Sequence, residues 1–203
     1  MLEERIHINI IALGNSTVGK TAYLVRNTEN AFKPTISNIG IESRLKKIEL
    51  EDGKKVNVKF YDTSGQERFH SISANFIKRA DGVILMYDIT NRESFDTIFI
   101  WLKDIFNNKE RDFPVILVGN KCDLEDERKV TKEEGENFAN KLNVKFYETS
   151  NKDGINIEES SRELINLVLS RMPDYIKQIQ PTNLKLSKKK LKRRRCFFSR
   201  IKC

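Results

Sequence analysis

The fold class of this chain is indicated most clearly by one segment, Ile6-His-Ile-Asn-Ile-Ile-Ala-Leu-Gly-Asn-Ser-Thr-Val-Gly-Lys-Thr21. Isoleucines alternate with polar residues up to Ile10, and an apolar run then reaches Gly14, which predicts a strand that ends in a loop. Residues 14–21 fit the pattern G-x-x-x-x-G-K-[ST], in which glycines let successive backbone N–H groups point at a phosphate. The helix predicted next adds the positive end of its dipole. A glycine-rich turn with an incidental lysine is the alternative.

Short apolar segments further along the chain predict more strands. Residues 56–60 alternate between apolar and polar, and the run 45–50 before them connects through Glu51-Asp-Gly53, which is a hairpin signal. Residues 83–87 and 115–118 are continuous apolar runs, as expected of strands that are buried on both faces of a parallel sheet.

Helical spacings of apolar residues lie between these strands, and residues 144–147 are a sixth strand candidate. The alternation of strand and helix, with one early hairpin, predicts a doubly wound α/β domain. We expect a six-stranded, mostly parallel sheet with one antiparallel edge strand. The helical positions are Phe95, Ile98, Leu102 and Ile105; Phe138, Ala139 and Leu142; and Leu164, Ile165, Val168 and Met172.

The composition favours a soluble globular protein with one domain of ordinary size. The chain has 203 residues, of which 38% are hydrophobic and 33% charged. Its longest apolar runs are far shorter than the roughly 18–20 residues that span a bilayer, and the N-terminus lacks the pattern of a secretory signal. Three cysteines do not make a disulfide framework, so we expect a reducing compartment, most simply the cytosol.

The basic residues are concentrated at the C-terminal end of the chain. Residues 171–203 contain twelve of the 37 Lys and Arg residues and one of the 29 acids, a net charge of +11. Because the whole chain carries +8, the first 170 residues carry −3. We therefore expect a folded domain over residues 1–172 and a disordered polybasic tail over 173–203.

A second motif, Asp62-Thr-Ser-Gly-Gln-Glu67, follows the predicted strand 56–61. An aspartate at the carboxyl end of a strand beside the phosphate loop can hold Mg²⁺ through water. The Gly65 N–H can then approach a γ-phosphate, and Gln66 can orient a water for attack. Alone the motif is weak, and a polar turn is the alternative, but after a phosphate-binding loop and at this distance it is a strong signal.

A third motif, Asn120-Lys-Cys-Asp123, follows the buried strand 115–118. The Asp123 carboxylate can accept both N1–H and N2–H₂ of guanine, a pairing that adenine cannot supply. A site with such buried hydrogen bonds rejects the wrong base by orders of magnitude, because its own groups would be left unpaired. Thr149-Ser-Asn-Lys152 ends the next strand, close to where the base would lie.

These motifs, in this order and spacing, resemble those of the Ras-like small GTPases over nearly all of residues 6–171. Within that superfamily the chain is most similar to the Rab family, through Asn38-Ile-Gly-Ile-Glu42, Asp62-Thr-Ser-Gly-Gln-Glu-Arg-Phe69, Leu85-Met-Tyr-Asp-Ile-Thr90 and Val118-Gly-Asn-Lys-Cys-Asp123. The basic tail that ends in cysteine also fits.

The resemblance implies a GTPase site with GTP or GDP and Mg²⁺. Gln66 and Lys20 would be catalytic, Thr21 and (through water) Asp62 would hold the metal, and Phe32 would stack on guanine. Asn151 takes the place of an alanine that contributes only its backbone N–H. The implied nucleotide-binding residues are Ser16, Thr17, Val18, Gly19, Lys20, Thr21, Ala22, Phe32, Gly65, Asn120, Lys121, Asp123, Leu124, Ser150, Asn151 and Lys152.

The chain departs from the Rab pattern in its switch and effector positions. Asn38 stands where the family has the switch I threonine that binds Mg²⁺; Thr35 is a second candidate, but it would need a four-residue gap and a compensating insertion. Ser43 and Tyr61 replace aromatic residues that join Phe76 in an effector-facing cluster. Effector identity therefore does not carry over.

The tail has three interpretations: nuclear import or nucleic-acid binding, a solvated spectator, or attraction to anionic lipid. The terminal Cys203 favours lipid, since the resemblance implies geranylgeranylation there. One chain holds a membrane only marginally, so a second signal is needed, from the basic block 188–195 and from palmitate on Cys196.

We therefore expect a monomeric Rab-like GTPase that regulates vesicle trafficking at the cytoplasmic face of an endomembrane. Its partners would be an activating protein, an exchange factor, a GDP-dissociation inhibitor or escort protein, and effectors, without nucleic acid. A nucleotide-locked adaptor with impaired switching is the alternative.

Overall fold

The computed structural model describes residues 6–33, 42–50, 53, 55–63, 70–107 and 113–172. Within the range 70–107 it describes side chains from residue 75 onward. The described residues belong to the compact unit Met1–Ser170, apart from Arg171 and Met172. Among them, no helix is both long enough and apolar enough to cross a membrane.

Six strands form one sheet in the order β2-β3-β1-β4-β5-β6. All neighbouring pairs are parallel except β2 with β3, which is the predicted hairpin at the sheet edge. The predicted fold class is therefore confirmed. The strands are β1 (Ile6–Leu13), β2 (Glu42–Glu49), β3 (Lys55–Asp62), β4 (Gly82–Asp88), β5 (Val115–Asn120) and β6 (Lys145–Thr149).

Six α-helices connect and cover these strands within the described residues. The apolar spacing over residues 95–105 predicts one helix, but the structure has two, which meet at Thr97. The Thr97 amide donates to both Glu93 O and Phe95 O and closes the first of them. The helices are α1 (Lys20–Glu29), α2 (His70–Arg79), α3 (Arg92–Asp96), α4 (Ile98–Asn107), α5 (Lys132–Leu142) and α6 (Ile157–Leu169).

The sheet has an apolar core on each face because successive strand residues point to opposite sides. One face carries Leu13, Leu85 and Leu117, which belong to a buried cluster with residues of α2, α4 and α5. The other face lies against α6: a Cβ placed on Gly82 would be 2.9 Å from Val168. Burial on both faces explains why β4 and β5 read as continuous apolar runs.

The strand order reverses around the central β1, whose neighbours β3 and β4 lie on opposite sides. In doubly wound sheets, ligands bind beyond the carboxyl ends of the strands at such a point. The loop after β1 therefore lies where a ligand site is expected.

Candidate nucleotide-binding site

The strand register brings the motifs together at the carboxyl ends of the parallel strands, which we call the carboxyl edge of the sheet. Ala12 pairs with Asp62 across β1 and β3, Asp88 pairs with Asn120 across β4 and β5, and Asn120 pairs with Thr149 across β5 and β6. The strands that precede these motifs therefore end side by side, although the motifs are separated by up to more than a hundred residues in the chain.

The loop after β1 has a backbone that only certain residues tolerate. Gly14 and Gly19 have φ of 145° and 101°, and a Cβ on Gly14 would lie 2.2 Å from the Met86 carbonyl oxygen. Thr17, although β-branched, also has a positive φ of 64°. Strained positions of this kind cost free energy and cluster at active sites, ligand clamps and switch regions.

Lys20 is folded back over this loop. Its Nζ donates hydrogen bonds to Gly14 O at 2.9 Å and to Asn15 O at 2.7 Å, and the residue is 3% exposed. Lys20 is also the first residue of α1, where Gly19 provides no side-chain cap and no acid lies in the first turn. The helix N-terminus and the ammonium group therefore offer positive charge to an anion.

Asn120 connects the motif Asn120-Lys-Cys-Asp123 to residues 14–21, which we call the phosphate loop. Its Nδ2 donates to Val18 O at 2.8 Å, and its Oδ1 accepts from the Thr149 hydroxyl at 3.0 Å. The side chain is fully buried, so this orientation is fixed. An amide nitrogen carries two hydrogens, and Val18 is the partner of only one among the described residues.

Asp123 is oriented by Ser150. The Ser150 hydroxyl donates to Asp123 Oδ1 at 2.7 Å, and its oxygen accepts from the Asp153 backbone N–H at 3.0 Å. A carboxylate has about four lone-pair sites, so acceptor capacity remains for a donor edge of a base.

The side chain of Lys121 is held in place by an ion pair with Asp88. Its Nζ lies 2.6 Å from Oδ2 of Asp88, a side chain that is only 6% exposed. The other Asp88 oxygen accepts from the backbone N–H and hydroxyl of Thr90. Phe32, which the resemblance places on the guanine, is 54% exposed.

Asp62 and Thr21 are the described candidates for holding a metal. Asp62 is 4% exposed at the end of β3, and the next residue, Thr63, donates its hydroxyl to Ala12 O at 2.8 Å. No cluster of three His, Cys, Asp or Glu side chains suited to a metal exists among the described residues. Mg²⁺ is commonly bound by one or two protein oxygens together with substrate phosphates, so this sparse donor set fits it.

The predicted residues differ in how much the structure describes of them. The phosphate loop with Ala22, the segment 120–124 and the segment 150–152 lie along the carboxyl edge. Asn38, Thr35, Gly65, Gln66, Cys196 and Cys203 lie outside the described residues.

Sequence reasoning missed several residues that hold this site. The Asn151 side chain contacts the phosphate loop, because its Nδ2 donates to Gly19 O at 3.0 Å. Asp88 holds Lys121, and Asn15 accepts a hydrogen bond from Trp101 of α4. No local pattern reveals these contacts, because their partners are remote in the chain.

Comparison with known proteins gives consistent matches over most of the chain. Residues 9–170 match the sequence model of the Ras family. Ras-related protein Rab-10 of Caenorhabditis elegans is 42% identical over 166 residues, which are 81% of this chain and 82% of that protein. Human Ras-related protein Rab-8B is 43% identical over 164 residues (80% and 79%), and human Rab-3A is 39% identical over 173 residues (85% and 78%).

Proposed function

Because the chain belongs to the Ras family and is a Rab-type small GTPase, we propose that the carboxyl edge of its sheet is the guanine-nucleotide site of a trafficking switch. As a member of this family the protein binds GTP and GDP with Mg²⁺, hydrolyses GTP and regulates vesicle trafficking. Its similarity to Rab proteins does not favour the adaptor alternative.

Phosphate binding is the role we assign to residues 14–21. The backbone N–H groups from Ser16 to Lys20 would surround the β-phosphate, and Lys20 would reach the β- and γ-phosphates. The two hydrogen bonds of Lys20 to Gly14 O and Asn15 O support this role, because they hold the ammonium group over the loop.

Guanine recognition is the role we assign to Asn120, Lys121 and Asp123. The observation that carries the proposal is the Ser150–Asp123 hydrogen bond of 2.7 Å, which orients a carboxylate three residues after Asn120, the residue that bonds to the phosphate loop. Asn120 would donate its second hydrogen to guanine N7. The Lys121 stem, fixed by Asp88, would lie on one face of the base, opposite Phe32.

Hydrolysis would proceed by attack of water on the γ-phosphorus. Gln66 orients the water, and Lys20 stabilises the negative charge that develops on the phosphate oxygens. Thr21 and Asp62, the latter through water, would hold the Mg²⁺, whose chemistry is to neutralise charge on the β- and γ-phosphates.

Single-turnover hydrolysis of radiolabelled GTP tests this assignment. We expect Lys20→Ala to lose measurable GTP binding, and Gln66→Leu to bind GTP normally while hydrolysing it at least tenfold more slowly. Equal hydrolysis by wild type and Gln66→Leu would contradict the role of Gln66. Retained tight GTP binding by Lys20→Ala would contradict the role of the loop.

Family membership gives exchange factors, activating proteins, GDP-dissociation inhibitors and effectors as the general partners. We further propose that the protein is a monomer that acts at the cytoplasmic face of an endomembrane. The block Lys188-Lys-Lys-Leu-Lys-Arg-Arg-Arg195 and the terminal Cys203 support attachment to anionic lipid, since a prenyl chain and a basic segment together suffice where each alone is marginal.

Fractionation of the full-length protein from eukaryotic cells tests this attachment. Cys203→Ser should move the protein from the membrane pellet to the supernatant. Cys196→Ser, the matched control, should reduce pelleting only partly. Undiminished pelleting of Cys203→Ser would contradict lipidation at that residue.

A further inference from the structure

Asn15 links the phosphate loop to Thr97, between α3 and α4, and to Trp101 of α4. Its Nδ2 donates to the Thr97 hydroxyl oxygen at 2.8 Å, and its Oδ1 accepts from the Trp101 indole N–H at 2.9 Å. Trp101 is 3% exposed and belongs to the core that α4 forms with the sheet. Both ends of one amide are therefore fixed by residues more than 80 positions away.

The same residue carries one of the two carbonyls that hold Lys20. The Asn15 carbonyl oxygen accepts from Lys20 Nζ at 2.7 Å, and the Gly14 carbonyl accepts at 2.9 Å. A displacement of the Asn15 main chain would move this acceptor away from Lys20. The side chain of Asn15 opposes that displacement, because it would break the bonds to Thr97 and Trp101.

The hydrogen-bond pattern requires an amide at position 15. The Thr97 hydroxyl donates its single hydrogen to Glu93 O at 2.8 Å, so its oxygen is left as an acceptor toward Asn15. The Trp101 indole is a donor only, so it needs an acceptor. Asparagine supplies one of each, whereas aspartate could bond to Thr97 only if the Thr97 hydroxyl gave up its hydrogen bond to Glu93 O.

We propose that Asn15 is a positioning residue for Lys20, anchored by Trp101 and Thr97, and that it determines how strongly the site distinguishes a nucleoside diphosphate from a monophosphate. This inference rests on the proposed nucleotide site. Lys20 reaches phosphates beyond the first, so a misplaced ammonium weakens binding of GDP and leaves binding of GMP unchanged.

The chain carries its own probe of this contact, because Trp101 is its single tryptophan. Its indole N–H bonds directly to a residue of the phosphate loop. We therefore expect the emission of Trp101 to change when a chelator removes Mg²⁺ and the bound GDP dissociates.

Affinities for GDP and for GMP, measured on the full chain, test the proposal. In Asn15→Ala we expect the ratio of GDP to GMP affinity to fall roughly three- to tenfold, as for loss of one or two hydrogen bonds. Thr97→Val, which removes only the acceptor of the Asn15 amide, should lower the ratio by less. The change in Trp101 emission on GDP removal should disappear in Asn15→Ala.

Thr131→Ala is the matched control, because it deletes the capping box of α5 and destabilises the protein without touching the loop. It should leave the affinity ratio unchanged. If wild type binds GDP more tightly than GMP but the affinity ratio is unaltered in both Asn15→Ala and Thr97→Val, the role of Asn15 is overturned and the proposed nucleotide site is not. Equal affinity of wild type for GDP and GMP would contradict both the proposal and the nucleotide site on which it rests.

Discussion

The side-chain amide of Asn151 donates a hydrogen bond to the Gly19 carbonyl oxygen at 3.0 Å, across 132 residues of sequence. Gly19 is the N-cap of α1 and closes the phosphate loop, whereas Asn151 lies in the segment 150–152 that follows β6. The other amide atom, Oδ1, is buried and has no hydrogen-bond partner among the described residues. This contact joins the two halves of the nucleotide site directly, at the expense of one unpaired polar atom.

Replacing Asn151 should affect nucleotide release more than stability. Asn151→Ala removes the bond to Gly19 and also the unpaired oxygen, so the two changes in unfolding free energy largely cancel. Loss of the connection lets the halves of the site separate, and we expect GDP to dissociate roughly three- to tenfold faster. Release of a fluorescent GDP analogue measures this rate.

The isosteric variant Asn151→Asp is a second test of the same contact. It places a carboxylate oxygen against the Gly19 carbonyl, so GDP release should be at least as fast as in Asn151→Ala. GDP release at the wild-type rate in both variants would show that the contact does not hold the site together.

Tyr87 carries a hydroxyl that contributes little to stability. It is buried without a hydrogen-bond partner among the described residues, and burial raises the pKa of Tyr87. The hydroxyl lies against two glycines: a Cβ on Gly119 would be 2.7 Å from it, and a Cβ on Gly135 2.5 Å. We expect Tyr87→Phe to leave the unfolding free energy unchanged or to raise it by up to about 1 kcal/mol.

Tyr23→Phe is the matched comparison for this prediction. The Tyr23 hydroxyl is also buried, but it bonds to the Ser160 hydroxyl at 2.7 Å and to Ile157 O at 3.2 Å. Its removal should lower the unfolding free energy by about 1–2 kcal/mol in urea titrations of the GDP-bound protein. A loss for Tyr87→Phe as large as that for Tyr23→Phe would contradict the assignment.

Glu134 makes stability depend on pH in the acid range. Its hydrogen bond with Arg92, together with its bonds to the Thr131 backbone and hydroxyl, lowers the pKa of Glu134 from 4.5 to about 2. Because the folded-state pKa is the lower one, the stabilisation is complete above the unfolded-state value of 4.5 and is lost as the pH falls toward 2.

Thermal unfolding of wild type and Glu134→Gln between about pH 3 and pH 6 measures this dependence. Glutamine keeps a hydrogen-bonding side chain at the third position of α5 but has no charge. The difference in Tm should therefore be largest near pH 6 and shrink toward pH 3. Glu133→Gln is the control for loss of one charge, and a Tm difference for Glu134→Gln that does not change with pH would refute the prediction.

Asn38, which lies outside the described residues, is expected to weaken the coupling between the γ-phosphate and switch I. Its amide oxygen is one bond farther from the backbone than a threonine hydroxyl, and Mg²⁺ tolerates little departure from octahedral geometry at about 2.0–2.1 Å. We expect a water at that ligand position, slow hydrolysis, and faster activator-stimulated turnover in Asn38→Thr. GDP binding should not change.

A crystal structure with Mg²⁺ and a non-hydrolysable GTP analogue examines this directly. An ordered Asn38 oxygen bound to the metal, with switch I closed over the nucleotide, would refute the prediction.

Much of the fold could be predicted from the sequence because its signals are local. Period-two alternation in β1 and β3, continuous apolar runs in β4 and β5, and a glycine turn before β3 each depend on neighbouring residues only. The break at Thr97 was not predicted, because the apolar spacing continues across it while the backbone hydrogen bonds do not.

The site was predictable to the level of its motifs. The motifs locate the loops at the ends of strands, and the register of the sheet then brings Asn120 opposite Thr149. The side-chain contacts of Asn15, Asp88 and Asn151 depend on how distant segments pack, so no spacing along the chain specifies them.

Guanine specificity depends on the Asp123 carboxylate in the proposed site, and the nucleotide preference of Asp123→Asn measures that dependence. The substitution exchanges an acceptor for a donor opposite the N1 and C2 edge of the base, a pattern that suits xanthine. Equilibrium competition between GTP and XTP should show that wild type prefers GTP by orders of magnitude and that Asp123→Asn prefers XTP. A variant that folds, binds nucleotide and still prefers GTP would contradict the placement of the base beside Asp123.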